Sequence, residues 1–357
     1  MKTFTDYFGH DPAVSVRVPG RVNLIGEHID YTGGTVLPTP IPRFLNLAMS
    51  PGSQNVRIAS TRFEEIVERP LTDQLNGHWS DYALAGHRMA VARGLLSGGA
   101  EYWIDSDVPH GAGVSSSAAL LVALLKAASE QSVEDIDPKT IALWAQAVES
   151  DDIGMPCGIM DQMAVALGEP GQALALNTAD LSTDLIPLPP SVAFPVYHSG
   201  LTRALADGQY ASRRKAIEDA KTAIGLENIS LASDEQLEQI NALPEPAAKR
   251  ARHAVTEHRR VMEAVDALKA GDTERFGALM TESHVSMRDD FEITVPAMDR
   301  MAERAVAAGA YGSRLTGGGF GGCFVSCVPL ERLSAWKDEM ESAFPDIRLI
   351  TDGVTTD

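Results

Sequence analysis

The sequence predicts an α+β architecture in two domains. Strand-like and helix-like stretches are mixed along the 357 residues without the regular alternation that a parallel βαβ sheet requires. A chain of this length can form one large domain or two ordinary ones. Four prolines within Pro187–Pro195 (PLPPSVAFP) suit a connection between domains. We therefore expect one domain over residues 1–185 and a second over residues 186–357.

The individual elements are predicted from the spacing of apolar residues. Alternating or compact apolar runs predict strands at Val14–Val18, Tyr102–Ile104, Gly322–Val328 and Ile347–Ile350. Apolar residues at helical spacing predict helices at Tyr82–Leu96, Ala118–Ala128, Gly208–Ile224, Pro246–Ala270 and Thr273–Arg288. Because Ala118–Ala128 is almost wholly apolar, we expect that helix to be buried.

The composition is that of a globular protein that works without nucleic acid or membranes. Apolar residues make up 44% of the chain and charged residues 22%. The formal charge of −19 repels nucleic acid and anionic membranes, and it repels ATP at long range. A phosphate site must therefore rely on local backbone N–H groups and a metal ion. With no signal-peptide core and no run near the roughly 18 apolar residues of a membrane span, a cytoplasmic location is expected.

The three cysteines are too few for a disulfide framework. Cys323 and Cys327 lie in an apolar, strand-like run (CFVSCV). Four residues along a strand span roughly 13 Å, which is too far for the two thiols to share a metal ion. We expect these residues and Cys157 to be reduced thiols that serve core packing.

The stretch Val108–Ala119 (VPHGAGVSSSAA) has the features of a phosphate-binding loop. Its glycines let the backbone approach an anion closely and adopt positive φ. The apolar helix that comes directly after it adds free N–H groups and a positive dipole end. Three serines supply hydroxyls for phosphate oxygens and for Mg²⁺. The loop is not of the Walker A type, because that pattern requires a lysine and none stands here.

A second glycine cluster, TGGGFGG, fits the spacing of the dinucleotide-binding fingerprint at Gly317, Gly319 and Gly322. That fingerprint must follow a strand and open a helix. This cluster opens a strand instead. We therefore expect a tight glycine turn here and no dinucleotide site.

Polar residues suited to binding a sugar stand between the first strand and the next apolar run. Arg21, Glu27, His28 and Asp30 lie within or beside a glycine-bounded loop, and planar carboxylates can each accept two hydroxyl hydrogen bonds. A solvated loop would show the same spacing. Asp161 stands in an apolar run (CGIMDQMAVAL), where a carboxylate needs a partner, and Arg21 is the obvious one. A structural ion pair or a helix cap would also account for Asp161.

Five segments together resemble the GHMP kinase superfamily and, within it, the galactokinases. They are GRVNLIGEHIDYTGG (Gly20–Gly34), VPHGAGVSSSAA (Val108–Ala119), GMPCGIMDQ (Gly154–Gln162), SHVSMRDDFEITVPAMD (Ser283–Asp299) and YGSRLTGGGFGGC (Tyr311–Cys323). The matches run in order from about residue 17 to residue 328, nearly the whole chain. The resemblance implies an amino-terminal ribosomal-S5-domain-2-like domain and a carboxyl-terminal ferredoxin-like α/β sandwich domain.

The resemblance also implies residue roles in phosphoryl transfer from ATP, with Mg²⁺, to a small sugar. Asp161 would face the anomeric hydroxyl as base or orienter, and Arg21 would pair with it and stabilise the transferring group. Ser117 and Glu149 would hold Mg²⁺. The sugar-binding residues would be Glu27, His28, Asp30, Gly158, Asp161 and Tyr210. The ATP phosphates would be held by Gly111, Ala112, Gly113, Val114, Ser115, Ser116 and Ser117.

The sequence differs from the usual galactokinase motifs in two places. Ile29 and Thr32 replace a usual threonine and asparagine, and His198–Tyr210 (HSGLTRALADGQY) looks more like the galacturonokinases. Arg203 in that stretch replaces a usual histidine and could pair with a substrate carboxylate, although an exposed helix arginine would look the same. The form CGIMDQ is that of galactokinases.

The leading hypothesis is therefore a sugar 1-kinase that phosphorylates galactose. A galacturonokinase or a related sugar 1-kinase is the alternative. A regulator that binds ATP and sugar without chemistry is the more distant one, because it would be expected to have lost the serines of the loop or Asp161. Trp79 could line the adenine pocket or belong to the core. No motif decides the oligomeric state, for which a monomer or a weak dimer is expected.

Overall fold

The structure is a computed structural model that describes residues 2–201 and 206–353, without the side chains of Ala206 and Asp207. Within these ranges the α-helices, α1 to α11 in chain order, are Phe4–Phe8, Asp81–Ala92, Ser116–Ser132, Pro138–Ala147, Met160–Leu167, Ala206–Ile224, Asp234–Asn241, Ala247–Ala270, Thr273–Ser286, Pro296–Ala307 and Leu333–Ala343. The strands, β1 to β13, are Val14–Asn23, Thr35–Val36, Pro38–Ser53, Val56–Ser60, Phe63–Arg69, Gly99–Ser106, Gln172–Asn177, Thr183–Pro187, Val192–Ala193, Val196–His198, Gly312–Thr316, Cys323–Pro329 and Arg348–Thr351. Short π-helical turns span Val148–Asp152 and Met287–Phe291, and 3₁₀ turns span Ile229–Leu231 and Leu330–Arg332.

The chain forms two compact units that interleave along the sequence. The first unit comprises Met1–Arg21, Pro42–His110 and Val114–Leu167, and the second comprises Val22–Ile41, Gly111–Gly113 and Gly168–Asp357. The α+β class predicted from the sequence is confirmed. The proposed division between residues 185 and 186 stays a prediction.

The first unit is built mainly on a five-stranded sheet with the order β1-β3-β6-β4-β5. Alternation along the strands turns Leu45, Leu47 and Met49 of β3, and Tyr102 of β6, into the core. Helix α3 packs against α2, α4 and α5. As its composition predicts, α3 is buried along almost its whole length between Ala118 and Ala128.

The second unit contains a sheet in which β11, β12, β10 and β13 lie side by side, with β9 also paired to β12, and a small sheet with the order β2-β7-β8. Helix α8 packs against α6 and α9, and α9 packs against β11. The TGGGFGG segment is the turn of the antiparallel β11–β12 hairpin, so it opens a strand as predicted. The Phe320 N–H in this turn donates to the Ile293 carbonyl at 2.7 Å.

Each predicted strand and helix is present, with shifts of a few residues at the ends. Cys323 and Cys327 are buried thiols, and Cys157 is a half-buried thiol; none of the three is in a disulfide. Among the described residues, no helix combines the length and the apolar character needed to cross a membrane.

Candidate active site

Arg21 and Asp161 form an ion pair in the first unit. Arg21 lies near the end of β1, where its backbone N–H donates to the Val114 carbonyl at 3.2 Å. Its Nε and Nη2 both donate to Asp161 Oδ1, at 3.0 and 2.5 Å. The Arg21 side chain is 4% exposed and the Asp161 side chain 30% exposed. The arginine is therefore held rigidly, while part of the carboxylate remains accessible to a substrate.

The sequence around Asp161 explains its placement. Asp161 is the second residue of α5, and a carboxylate in the first turn of a helix interacts favourably with the positive end of the helix dipole. The apolar residues around it anchor the helix, since Met160 and Met163 are buried. Gly158, which was also predicted to contact the sugar, is buried in the segment just before α5.

Glu149 lies beside Ser117 in the same unit. It belongs to the π-helical turn Val148–Asp152 that comes after α4, in which the Ile153 N–H donates to the Val148 carbonyl at 3.0 Å. Burial raises the pKa of Glu149, whereas hydrogen bonds from Ser117 and Gln162 act in the opposite direction. The Gln162 Nε2 donates to Glu149 Oε2 at 2.8 Å. Extra-wide turns of this kind are frequent at functional sites.

Ser117 and Glu149 fit the requirements of a Mg²⁺ site. Both offer hard oxygen ligands, and the Glu149 carboxylate is buried next to the hydroxyl. Among the described residues, no group of three or more His, Cys, Asp or Glu side chains could form a metal cage. Mg²⁺ commonly uses one or two carboxylates together with substrate phosphates and water, so a small protein ligand set is what a nucleotide-bound Mg²⁺ needs.

The predicted phosphate loop contains several residues with positive φ. Gly111 and Gly113 have φ values of 73° and 80°, and Ser115 at the amino-terminal cap of α3 has φ 66°. A non-glycine residue in this left-handed region is uncommon and indicates a backbone that is constrained by its surroundings. Ser115 Oγ is buried without a hydrogen-bond partner among the described residues. The loop leads into α3, whose first turn supplies the free N–H groups predicted from the sequence.

Aromatic rings surround His28 in the second unit. The His28 ring lies 4.8 Å from Phe291 and 5.3 Å from Tyr210, measured between ring centroids. Its Nδ1 is 3.2 Å from the Tyr31 hydroxyl. Burial in this cluster lowers the pKa of His28 to about 3, so the imidazole is neutral at physiological pH. A neutral ring offers one donor and one acceptor, which suits binding of hydroxyl groups.

Glu27 precedes His28 and is buried in a charged network. Its Oε2 accepts a hydrogen bond from Arg314 Nη2 at 2.8 Å. Arg314, on β11, is fully buried and also donates to the Asn23 carbonyl at 3.0 Å. Asp30 is half-buried two residues beyond His28. The second unit therefore gathers Glu27, His28 and Tyr210, while Arg203 lies outside the described residues.

Several residues of these clusters were not singled out from the sequence. They are Tyr31, Gln162, Phe291 and Arg314, and also Glu257, which accepts a hydrogen bond from the Gly26 N–H at 3.0 Å. Arg314 could have been found from the sequence, because a charged residue at a buried position of a strand needs a partner.

Trp79 stacks on Phe63 with the ring centroids 4.4 Å apart. It packs partly against the core of the first unit.

His28 makes the stability of the protein depend on pH. Its pKa of about 3 in the folded state lies below the usual 6.5, so the unfolded chain binds the proton first as pH falls. This contribution is lost as pH falls from about 6.5 towards 3. We expect the melting temperature of the wild type to drop more between about pH 7.5 and about pH 5 than that of His28→Asn, because asparagine does not titrate and tolerates the left-handed backbone. Equal drops in the two proteins would contradict a buried neutral imidazole.

Comparison with family models supports the assignment made from the motifs. The galactokinase galactose-binding signature matches residues 2–51. The GHMP kinase amino-terminal domain matches residues 79–169, and the GHMP kinase carboxyl-terminal domain matches residues 264–346. The predicted phosphate loop and Asp161 both lie within the amino-terminal match.

The chain is similar over most of its length to known galactokinases. It is 40% identical to the galactokinase of Roseiflexus sp. (strain RS-1) and 39% identical to that of Chloroflexus aurantiacus, each over 96% of this chain and 90% of the relative. The crystal structure of Lactococcus lactis galactokinase complexed with galactose matches with a TM-score of 0.91 and 28% identity, over 98% of this chain and 96% of that one. Methanococcus jannaschii mevalonate kinase shares the fold, with a TM-score of 0.70 and 18% identity over 96% of this chain and 98% of that one. The predicted family and GHMP kinase fold are confirmed, and the chain belongs to the galactokinase family of the GHMP kinases.

Proposed function

We propose that the protein transfers the γ-phosphoryl group of ATP to the anomeric hydroxyl of galactose, which gives galactose 1-phosphate and ADP. The observation that carries this proposal is the Arg21–Asp161 pair, in which a buried arginine holds a partly exposed carboxylate within a chain of the galactokinase family. Phosphoryl transfer depends on positioning and on neutralising charge rather than on covalent chemistry, and such a pair supplies both.

In the proposed reaction, Asp161 accepts the hydrogen bond of the anomeric hydroxyl and takes up its proton as the new O–P bond forms. Arg21 keeps the Asp161 carboxylate in place and stabilises negative charge on the transferring group. The backbone N–H groups of Gly111–Ser117 and the start of α3 bind the phosphates. Glu27, His28, Asp30, Gly158 and Tyr210 bind the sugar.

The cofactor of this reaction is Mg²⁺ bound to ATP, and Ser117 and Glu149 would hold it. When bound, Mg²⁺ neutralises phosphate charge. The two residues contribute their oxygens, and Gln162 orients the Glu149 carboxylate by its hydrogen bond at 2.8 Å.

The test of the proposed function is ADP release, measured by a coupled assay with purified protein, ATP and Mg²⁺ over a panel of sugars. We expect turnover with galactose. Turnover with galacturonate in preference to galactose would favour the galacturonokinase alternative, and ATP and sugar binding without turnover would favour the regulator. No ADP release with galactose, galacturonate or arabinose would contradict a sugar 1-kinase.

Glu149→Gln should raise the Mg²⁺ concentration needed for half-maximal activity by at least about tenfold. Glutamine keeps the shape of the side chain but lacks the charge that attracts the cation. Since burial already raises the pKa of Glu149, the neutral side chain should leave the fold intact. The measurement is a Mg²⁺ titration of the galactose-dependent rate. Glu130→Gln, an exposed position on α3, is the control, and matching titrations of the two variants would remove Glu149 from the metal site.

A further inference from the structure

We propose that Glu257 on α8 is a positioning residue, which fixes the backbone of Glu27 so that the Glu27 side chain can bind the sugar. This inference rests on the proposed function, because it assumes that Glu27 contacts the substrate. Glu257 lies 230 residues along the chain from Glu27, outside the five sequence segments that indicated the family.

The contacts of Glu257 converge on one turn of the backbone. Its Oε1 accepts hydrogen bonds from the Gly26 N–H at 3.0 Å and from the Glu27 N–H at 3.4 Å. The Ser283 hydroxyl, on α9, donates to the same oxygen at 2.5 Å. The side chain of Glu257 is completely buried. A buried carboxylate bound to two consecutive backbone N–H groups fixes the orientation of the peptide units that carry them.

The charge of Glu257 is maintained by its neighbours. Burial by itself opposes ionisation, but nearby positive groups, with Arg260 the largest contributor, lower the pKa of Glu257 to about 2. Arg260 forms an ion pair with Glu257 one helical turn away. The carboxylate is therefore ionised at physiological pH, and hydrogen bonds to an ionised acceptor are roughly twice as strong as those between neutral groups.

Helix α8 also contacts the next peptide unit, which carries the Glu27 carbonyl. His253 lies one turn before Glu257 on the same helix face, and its Nε2 is 3.0 Å from the Glu27 carbonyl. The Ser286 hydroxyl, 2.9 Å from His253 Nδ1, fixes the orientation of the ring. Both the N–H and the C=O of Glu27 are thus bound by side chains of α8.

The turn itself has little room to shift. Gly26 has φ 100°, and a Cβ atom at this position would lie 3.0 Å from Val36 Cα and 3.1 Å from Val261 Cγ2, the latter also on α8. His28, directly after Glu27, has φ 59°. The left-handed backbone of His28, a non-glycine residue, indicates that its surroundings constrain the turn, and Glu257 contributes by binding the two preceding N–H groups.

The experiment compares Glu257→Gln with Glu263→Gln, which removes an exposed carboxylate from the same helix, one that pairs with Arg275 at 2.8 Å. Ser283→Ala is a milder variant that removes one hydrogen bond and no charge. For each protein, kcat and the KM values for galactose and ATP are measured, together with the melting temperature. Ser283→Ala carries the test if Glu257→Gln does not fold.

We expect Glu257→Gln to raise the galactose KM about tenfold and Ser283→Ala to raise it about threefold, with the ATP KM and kcat within about twofold of wild type. A purely structural role would lower the amount of active enzyme, and hence the apparent kcat, with both KM values unchanged. Unchanged galactose KM in the folded variants, with an active wild type, would overturn this inference alone. An inactive wild type would instead overturn the proposed function.

A double-mutant cycle separates positioning from a general effect. In a Glu27→Gln background, the sugar contact that Glu257 is proposed to position is already weakened, so adding Glu257→Gln or Ser283→Ala should change the galactose KM by less than about twofold. If the galactose KM of the double variant rose by the product of the two single-variant factors, the two substitutions would act independently. That result would contradict the proposal.

Discussion

Replacing Asp161 with asparagine is expected to lower kcat about a thousandfold and to leave the fold intact. Asparagine has the shape of aspartate, but it carries no charge and cannot accept the proton of the anomeric hydroxyl. It also places a neutral amide against an arginine whose side chain is only 4% exposed, so Arg21 loses this countercharge as well. The measurement is the galactose-dependent rate of ADP release, with the far-ultraviolet circular dichroism spectrum as the test of folding.

The matched control for Asp161→Asn is Asp135→Asn, an exposed aspartate of the same unit. It should keep the wild-type rate, because Asp135 is solvated and comes after the carboxyl-terminal end of α3, a 17-residue helix that is roughly 25 Å long and begins at the loop. Retained activity in folded Asp161→Asn would remove Asp161 from its proposed role.

Replacing Arg314 with glutamine is expected to destabilise the protein by about 3–5 kcal/mol. Arg314 is fully buried and neutralises Glu27, whose side chain is 4% exposed. Without the guanidinium, the Glu27 carboxylate stays buried without that countercharge, and the Asn23 carbonyl loses the donor that lies 3.0 Å away. Urea unfolding, monitored by tryptophan fluorescence, measures the change in the free energy of unfolding.

The control for Arg314→Gln is Arg304→Gln on α10, which breaks an ion pair with Glu339 at the surface. The side chains of Arg304 and Glu339 are 43% and 40% exposed. Exposed pairs typically contribute about 0–1 kcal/mol. Similar losses in the two variants would contradict the view that Arg314 compensates a buried charge.

The regular elements could be predicted because apolar spacing is a local property of the chain. The buried helix α3 and the strand β12 are both recognisable from a dozen residues or fewer. The predicted end of α9 at Arg288 differs from the structure, because the α-helix ends at Ser286 and continues as a π-helical turn. The formation of a π-helical turn depends on tertiary contacts, which the spacing of apolar residues does not indicate.

Within the candidate site, an ion pair between two side chains could be predicted from the sequence, whereas contacts between a side chain and the backbone could not. Arg21 was matched to Asp161 because a carboxylate in an apolar run requires a countercharge. Glu257 also carried a signal, since it shares the buried face of α8 with Ala254 and Val261. The sequence does not indicate that Glu257 binds the backbone beside Glu27. Every non-proline residue carries a backbone N–H, so the residue types do not show which N–H group a side chain binds.

The π-helical turn at Val148–Asp152 has a consequence for how this chain can change by insertion or deletion. Deleting one residue there would let the turn close into an ordinary α-helix, which has better hydrogen-bond geometry. Each residue removed rotates the later part of the helix by about 100° about its axis. The end of the helix would become more regular, while the side chains after the deletion changed their direction relative to α4. Evolutionary shortening of this segment would therefore improve the hydrogen bonding of the helix, but it would turn the Glu149 carboxylate away from Ser117.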